Sequence, residues 1–381
     1  MAIARLGVGC VGYGFIGKVH TYAYKNLPFY YDPTPARVEL VGVCTAHEDT
    51  AEAGLSDGYQ FATTDFTELL GRSDIDIINV CTPNYVHKDQ VIAAAKAGKH
   101  VYCDKPLALD LAEAREIQSA VRAAGVTAGM TFQYRHVPAI LRARQLMDEG
   151  AIGEPFSVRA AYLHAGYIDS ARPMSWRMRR ETAGAGALFD LGSHVLDLVR
   201  FLCGEFASVS AEFETFTKRR PIPGGDEMGD VDVDDLALLQ VRMRSGMIGT
   251  CEASRVATGT NDELRIEIHG RDGALLFNLQ DPNWLWVFDN TEDGGTYGGR
   301  RGFKRIESVM RYPSPAKLPG PKFSPGWFRF HVACAEAFVE SVIAGRDAMP
   351  SMDDGVAVQE VMEAALRSAD TGGPVSLPLE D

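Results

Sequence analysis

Cationic side chains are in deficit along this chain: 38 Lys and Arg stand against 51 Asp and Glu, a formal charge of −13. A surface of that sign repels phosphate backbones and anionic lipid, so neither nucleic acid nor a membrane is expected as a partner. Long apolar runs are also lacking. No stretch approaches the roughly 18 consecutive apolar residues of a spanning helix. The opening MAIARLGVGCVGYG reads as a buried strand and turn, not as a secretory h-region. Cysteine is sparse and scattered, with seven residues at 10, 44, 81, 103, 203, 251 and 334 and no C-x-x-C pair. That pattern speaks against a disulfide framework and a zinc ribbon, and it fits a reducing cytoplasm. Repeats and low-complexity tracts are absent too. What remains is 381 residues at 46% hydrophobic content, enough for two or three domains whose cores need no staple.

The first 130 residues alternate short apolar runs with helical stretches. Strands are expected at 6–11, 38–44, 75–81, 100–103 and 127–132, and helices at 15–25, 65–70, 85–97 and 111–124. Asp65 with Glu68 and Asp110 with Glu113 match the D-x-x-E capping box. The strands lack strict alternation, as expected when helices cover both faces of a parallel sheet. This is the pattern of a doubly wound α/β domain. After Pro138 the pattern changes. One helix (139–149) leads to longer, partly polar-faced strands at 156–163, 209–217, 235–242, 247–255 and 264–269. Such strands suit an open, mostly antiparallel sheet with one covered face. Residues 290–326 read as a surface excursion, Trp284 and Trp286 as packing on an edge strand, and 330–344 and 355–369 as closing helices. The expectation is a doubly wound domain over 1–130 and an α+β domain over 131–381.

Gly12-Tyr13-Gly14-Phe15-Ile16-Gly17 is G-x-G-x-x-G, following a strand and opening a helix. Gly12 allows the tight turn, Gly14 lets backbone approach a pyrophosphate, and Gly17 lets helix and strand pack closely. The helix start offers its N–H groups to the anion. These are the marks of a Rossmann dinucleotide site. The usual companion acid at the end of the second strand is replaced by Thr45, followed by Ala46, His47 and Glu48. No Arg or Lys is present there to receive a 2′-phosphate. NAD is favoured and NADP is left open.

Further motifs follow in order: Cys81-Thr82-Pro83-Asn84, then Asp104-Lys105-Pro106, then Trp176-Arg177, then Asp190-Leu191-Gly192-Ser193-His194 behind a glycine cluster. The set resembles the glucose–fructose oxidoreductase / inositol dehydrogenase (Gfo/Idh/MocA) family along essentially the whole chain, in the style of inositol and levoglucosan-type dehydrogenases. The resemblance implies a hydride-transferring enzyme of sugars, anhydrosugars or cyclitols, usually NAD(P)-dependent. It also implies a homodimer or homotetramer assembled through the sheet of the second domain. By motif, Lys105 matches the lysine of the family's E-K-P, and Asp190 and His194 match its D-x-x-x-H. Two positions depart from the pattern: Asp104 stands where the family has glutamate, and Ala185 interrupts the glycine cluster, a change tolerated if its φ is negative.

Oxidising a secondary alcohol needs a base that titrates near neutrality, a role suited to His194. Lys105, at a strand's C-terminal end, would stabilise the developing alkoxide. Asp190, four residues before His194, would orient the imidazole or bind a neighbouring hydroxyl. Cofactor contacts are expected from Gly12, Gly14, Phe15, Ile16, Thr45, His47, Thr82, Pro83, Asn84, His87, Asp104, Lys105, Gln133, Trp176 and Arg177. Substrate contacts are expected from Lys105, Gln133, Tyr162, Asp190 and His194. Plainer readings stand beside these. Asp190 and His194 could be a solvated helix pair or half of a metal site, though no third ligand sits at recognisable spacing. His87 could simply start a helix, Gln133 could lie in a hinge, and Trp176 could be core. Arg172, Arg177, Arg179 and Arg180 could meet an anionic substrate or only solvent. At the level of function, the alternatives are an NADP-dependent keto-sugar reductase, an NAD-retaining glycosidase of the same fold, and a non-enzymatic sensor.

Overall fold

The computed structural model describes residues 3–380, and the chain divides into two compact units. The first comprises 1–136, 312–320 and 326–359. Its strands β1 (Arg5–Val11), β2 (Arg37–Cys44), β3 (Phe61–Thr63), β4 (Ile77–Val80), β5 (His100–Cys103) and β6 (Ala128–Met130) form one parallel sheet in the order 3-2-1-4-5-6. Helices α1 (Phe15–Tyr30), α2 (Glu48–Ser56), α3 (Phe66–Gly71), α4 (His87–Lys96) and α5 (Leu111–Ala124) make the crossovers. Both expected caps are in place: Asp65 accepts from Thr67 N at 2.8 Å and Asp110 from Glu113 N at 2.8 Å. Strand order reverses between β1 and β4, and this switch point is where such sheets place ligands. The unexpected elements are β3 and α2. In addition, α1 continues through Pro28 instead of stopping at 25. The sheet's core cluster joins Val8, Tyr24, Leu27 and Tyr102 to Val332, Phe338 and Val339 of the late helix Trp327–Ala344. This unit is therefore not one continuous stretch of chain.

The second unit comprises 137–311, 321–325 and 360–381. It opens with α6 (Pro138–Asp148), β7 (Pro155–Leu163) and the short α7 (Arg180–Ala183). A π-helical turn, Leu188–Gly192, runs directly into α8 (Ser193–Cys203). Then come β8 (Phe206–Glu214), the small hairpin β9 (Arg219–Pro221) and β10 (Met228–Asp230), β11 (Leu236–Met243), β12 (Ile248–Ser254), β13 (Glu263–Gly270), β14 (Gly273–Asn278), β15 (Trp284–Asp289), β16 (Lys304–Glu307) and β17 (Val375–Ser376). Nine strands form one sheet in the order β16-β15-β14-β13-β7-β12-β11-β8-β17, antiparallel except where β7 meets β12. Burial along β11 alternates, with Ala237, Leu239 and Val241 inward and Leu238, Gln240 and Arg242 outward, as one covered face requires. Trp284 and Trp286 are not on the edge, because β16 lies outside them. Arg305 of β16 places its guanidinium 4.5 Å and 5.2 Å from their rings.

Candidate functional site

In the first unit the glycine turn divides its labour as the spacing demands. Gly12 has φ +87°, and a Cβ there would lie 2.6 Å from the Cys81 carbonyl group. A Cβ on Gly17 would lie 2.4 Å from the Gly12 carbonyl oxygen. Gly14 differs: a Cβ would meet nothing within 4 Å, and no side chain caps the helix that starts beside it. The exposed Gly14 and Phe15 and half-buried Ile16 thus leave a backbone cradle open at the positive end of a 16-residue helix. A pyrophosphate fits there without displacing protein. Phe15 stacks on Trp327 with ring centroids 5.8 Å apart, and the Trp327 Nε1–H donates to Tyr134 Oη at 3.1 Å. Sequence reasoning missed Trp327, since nothing local marks a residue 312 positions away.

Around the same sheet edge the expected contacts separate into two groups. Thr82 donates its hydroxyl to Gln90 at 2.6 Å, and Asn84 is buried in a short 3-10 turn ahead of α4. Asp104 and Lys105 follow β5 and are half-buried, and the Lys105–Pro106 peptide is cis. Gln133 is buried, and its Oε1 has no protein donor, which fits a ligand donor. Two other residues serve the scaffold. The Thr45 hydroxyl is turned onto the start of α2, donating to the His47 carbonyl at 2.6 Å and lying 2.7 Å from Thr50 Oγ1, so it is not offered to a ribose. His87 is fully buried, with Nδ1 3.0 Å from the Pro106 carbonyl and Nε2 2.9 Å from the Thr82 carbonyl. Burial pushes its pKa down, and the ring ties two loops together. His47, the residue ahead of α2, is exposed, as are Glu48 and Asp49 in that helix's first turn.

In the second unit, Asp190 and His194 do not share a regular α-helix. Asp190 sits in the π-helical turn and His194 in the first turn of α8. The segment is fixed from a distance by Asp234, whose carboxylate accepts from Gly186 N at 2.6 Å and Leu188 N at 2.8 Å. Its carbonyl accepts from Ala187 N at 2.9 Å. Asp234 thereby satisfies three donors that a helix start leaves unpaired. Gly186 has to be glycine: a Cβ would lie 1.8 Å from the Asp234 carbonyl oxygen. Ala185 is buried and outside the left-handed region, so the departure from glycine is accommodated.

Asp190 pairs with Arg255, whose Nη2 lies 3.1 Å from its Oδ2. Burial alone would lower the Arg255 pKa, but Asp190, Tyr167 and Asp234 more than offset that and hold it above its usual value. His194 is buried, with the Tyr162 ring edge-on at 5.9 Å. The Tyr162 hydroxyl donates to Asp262 Oδ1 at 2.6 Å, and His164 Nε2 lies 3.6 Å from the same oxygen. Asp262 holds φ +56°, an uncommon conformation for a residue with a side chain. Trp176 is half-buried beneath the Arg177 guanidinium at 4.3 Å, and Arg172, Arg177, Arg179 and Arg180 are exposed. No motif or spacing marks Asp234, Arg255 or Asp262. Among the described residues no cluster of three or more His, Cys, Asp or Glu could hold a metal ion. No helix among them is long and apolar enough to cross a membrane.

Two family models match in tandem. Residues 6–132 match an oxidoreductase family with an NAD-binding Rossmann fold, and residues 140–276 match the GFO/IDH/MocA C-terminal domain. Levoglucosan dehydrogenase of Pseudarthrobacter phenanthrenivorans is 34% identical over 98% of this chain and 98% of its own. Inositol 2-dehydrogenase of Rhizobium meliloti is 28% identical over 94% of this chain and 96% of its own. A solved structure of levoglucosan dehydrogenase in complex with NADH and levoglucosan superposes with a TM-score of 0.93 at 34% identity, covering 98% of this chain and 100% of that one.

Proposed function

The chain belongs to the GFO/IDH/MocA family of NAD-binding oxidoreductases, and from that premise we propose that it moves a hydride between NAD and a secondary hydroxyl of a sugar, anhydrosugar or cyclitol. The observation that carries this reading is the polar set near His194: a buried imidazole against Tyr162, and a half-buried carboxylate at Asp190 pinned by Arg255. NAD, when bound, supplies the hydride acceptor. His194 takes the proton from the reacting hydroxyl. Lys105 stabilises the oxygen as it becomes negative. Asp190, as a carboxylate, accepts a hydrogen bond from a neighbouring hydroxyl or from the imidazole. Tyr162 and Gln133 line the substrate's position.

Residues 1–130 carry the dinucleotide, through the Gly12–Gly14–Phe15–Ile16 cradle, His47, Thr82, Pro83, Asn84, Asp104 and Lys105, joined by Gln133 just beyond them. Residues 131–381 carry substrate selection, Trp176 and Arg177, and self-association. Glu48 and Asp49, exposed in the first turn of α2 beyond β2, would repel a 2′-phosphate and support NAD over NADP. The uncovered sheet face, with Leu238 and Ile248 exposed beside Arg159 and Glu267, is the surface we assign to a homodimer or homotetramer. The seven cysteines are all free thiols, in keeping with a reducing cytoplasm.

The test is a panel of inositols, polyols, anhydrosugars and their keto forms, each with NAD(H) and with NADP(H), followed at the reduced-nicotinamide absorbance band. Turnover of at least one panel member with NAD is expected. No turnover with any of them, combined with hydrolysis of an aryl glycoside and no net NADH, would overturn the dehydrogenase reading.

A further inference from the structure

A buried cation next to a site has to be explained by its partners, because an unpaired guanidinium away from water costs several kcal/mol. Arg255 stands just past the end of β12 and its side chain is only 3% exposed. Its Nη2 donates to Asp190 Oδ2 at 3.1 Å, its Nη1 to the Arg177 carbonyl at 3.2 Å, and its guanidinium carbon lies 4.7 Å from the Tyr167 ring centroid. Its Nε–H has no protein acceptor. The backbone is anchored on both sides: Arg255 N donates to the Asp235 carbonyl at 2.9 Å, and the Arg255 carbonyl accepts from Tyr167 N at 3.0 Å. One planar fork therefore bridges the 176–178 turn and the π-helical turn, 78 and 65 positions before it in the chain.

We propose that Arg255 is a positioning residue that acts through Asp190, fixing which way the carboxylate points and keeping it an acceptor. The proposal rests on the reading of Asp190 given above. Its physical basis is the geometry of the guanidinium, whose N–H groups diverge in a fixed plane. Seated on the Arg177 carbonyl, it has one direction left in which to hold Asp190. A carboxylate facing that charge accepts hydrogen bonds in a fixed direction, whereas one deprived of it loses that constraint. A lysine would supply charge without the fork, and a glutamine would supply neither charge nor reach.

A double-mutant cycle separates this role from mere structural support. Wild type, R255Q, D190N and R255Q/D190N are compared for kcat, KM, NADH affinity and thermal midpoint, on the best panel substrate, with R255K as the conservative variant. R255Q is expected to lower kcat roughly 10–100-fold with NADH affinity within about twofold of wild type. In the D190N background the same change is expected to cost less than about twofold, because the group through which it acts is already gone. R255K is expected to recover part of the loss and not all of it. Equal losses in both backgrounds would overturn the proposal while leaving the Asp190 assignment in place, as would a wild-type kcat in R255Q. A wild-type kcat in D190N would overturn the Asp190 assignment and this proposal together. If R255Q shows no cooperative thermal transition, the cycle is run with R255K, and additivity there has the same meaning.

Discussion

The two units build their sites by different means. The first builds from backbone: three glycines within six residues shape the turn, and Gly14 contributes by having nothing near it. The second builds from side chains held at long range. Asp190 depends on Arg255, 65 positions on, and the segment carrying it depends on Asp234, 48 positions on from Gly186. A site made of contiguous backbone is specified by local residue type, whereas a site made of remote side chains is specified only once the sheet has formed.

The strongest test of that contrast is to remove the chemistry alone. His194→Ala is expected to lower turnover by about 10²–10⁴-fold and Lys105→Ala by about 10²-fold or more, with NADH binding and thermal midpoint near wild type. Steady-state kinetics with a parallel NADH titration checks this, and near-normal rates in both variants would remove the assignment. A paired glycine experiment sharpens the contrast. Gly186→Ala drives a Cβ to 1.8 Å from backbone oxygen, and is expected to cost about 2–4 kcal/mol in chemical denaturation. Gly14→Ala meets nothing within 4 Å, so stability should change by less than about 0.5 kcal/mol. Its methyl group occupies the space a pyrophosphate needs, so NADH affinity should fall about tenfold. Loss of stability in Gly14→Ala, or none in Gly186→Ala, would break the comparison.

The first unit's late helix offers a pH-dependent effect. Burial, and then the neighbouring Glu340, raise the Glu336 pKa to about 7. Below the ordinary carboxylate value both folded and unfolded chains hold the proton, so the group is silent. Between that value and about 7 the unfolded chain releases it first, and stability falls as pH rises. Above about 7 the deficit is complete. Glu336→Gln is therefore expected to raise stability at pH ~8, by at most about 3 kcal/mol, and to change little at pH ~4. Urea melts at the two pH values measure it, and an equal effect at both would contradict the sign.

How much of this was legible in the sequence follows the same division. β1, the glycine turn and α1 appear as three adjacent signals at 6–17, and Asp110 caps α5 with the bond its spacing promised. β3 has only three residues, too short for any periodicity to register. The spacing of Asp190 and His194 suggested a regular helix, but a wider turn intervenes, clamped by Asp234. Thr45, in the place of the usual ribose-binding acid, spends its hydroxyl on α2, a bond that becomes visible only with α2 itself. Trp284 and Trp286 looked like an edge because β16, four residues long and charged, gives a weak signal of its own.

The core beneath the cofactor cradle is closed by Val332, Phe338 and Val339 from the helix Trp327–Ala344. On the ribosome, that sheet is therefore made long before the helix that completes it. Its apolar flank waits, unsealed, until Phe338 and Val339 have been synthesised. A prematurely terminated product would carry every residue of the glycine turn and still lack the wall behind it. Competence to hold the dinucleotide is in this way tied to a helix made far downstream of the glycine turn.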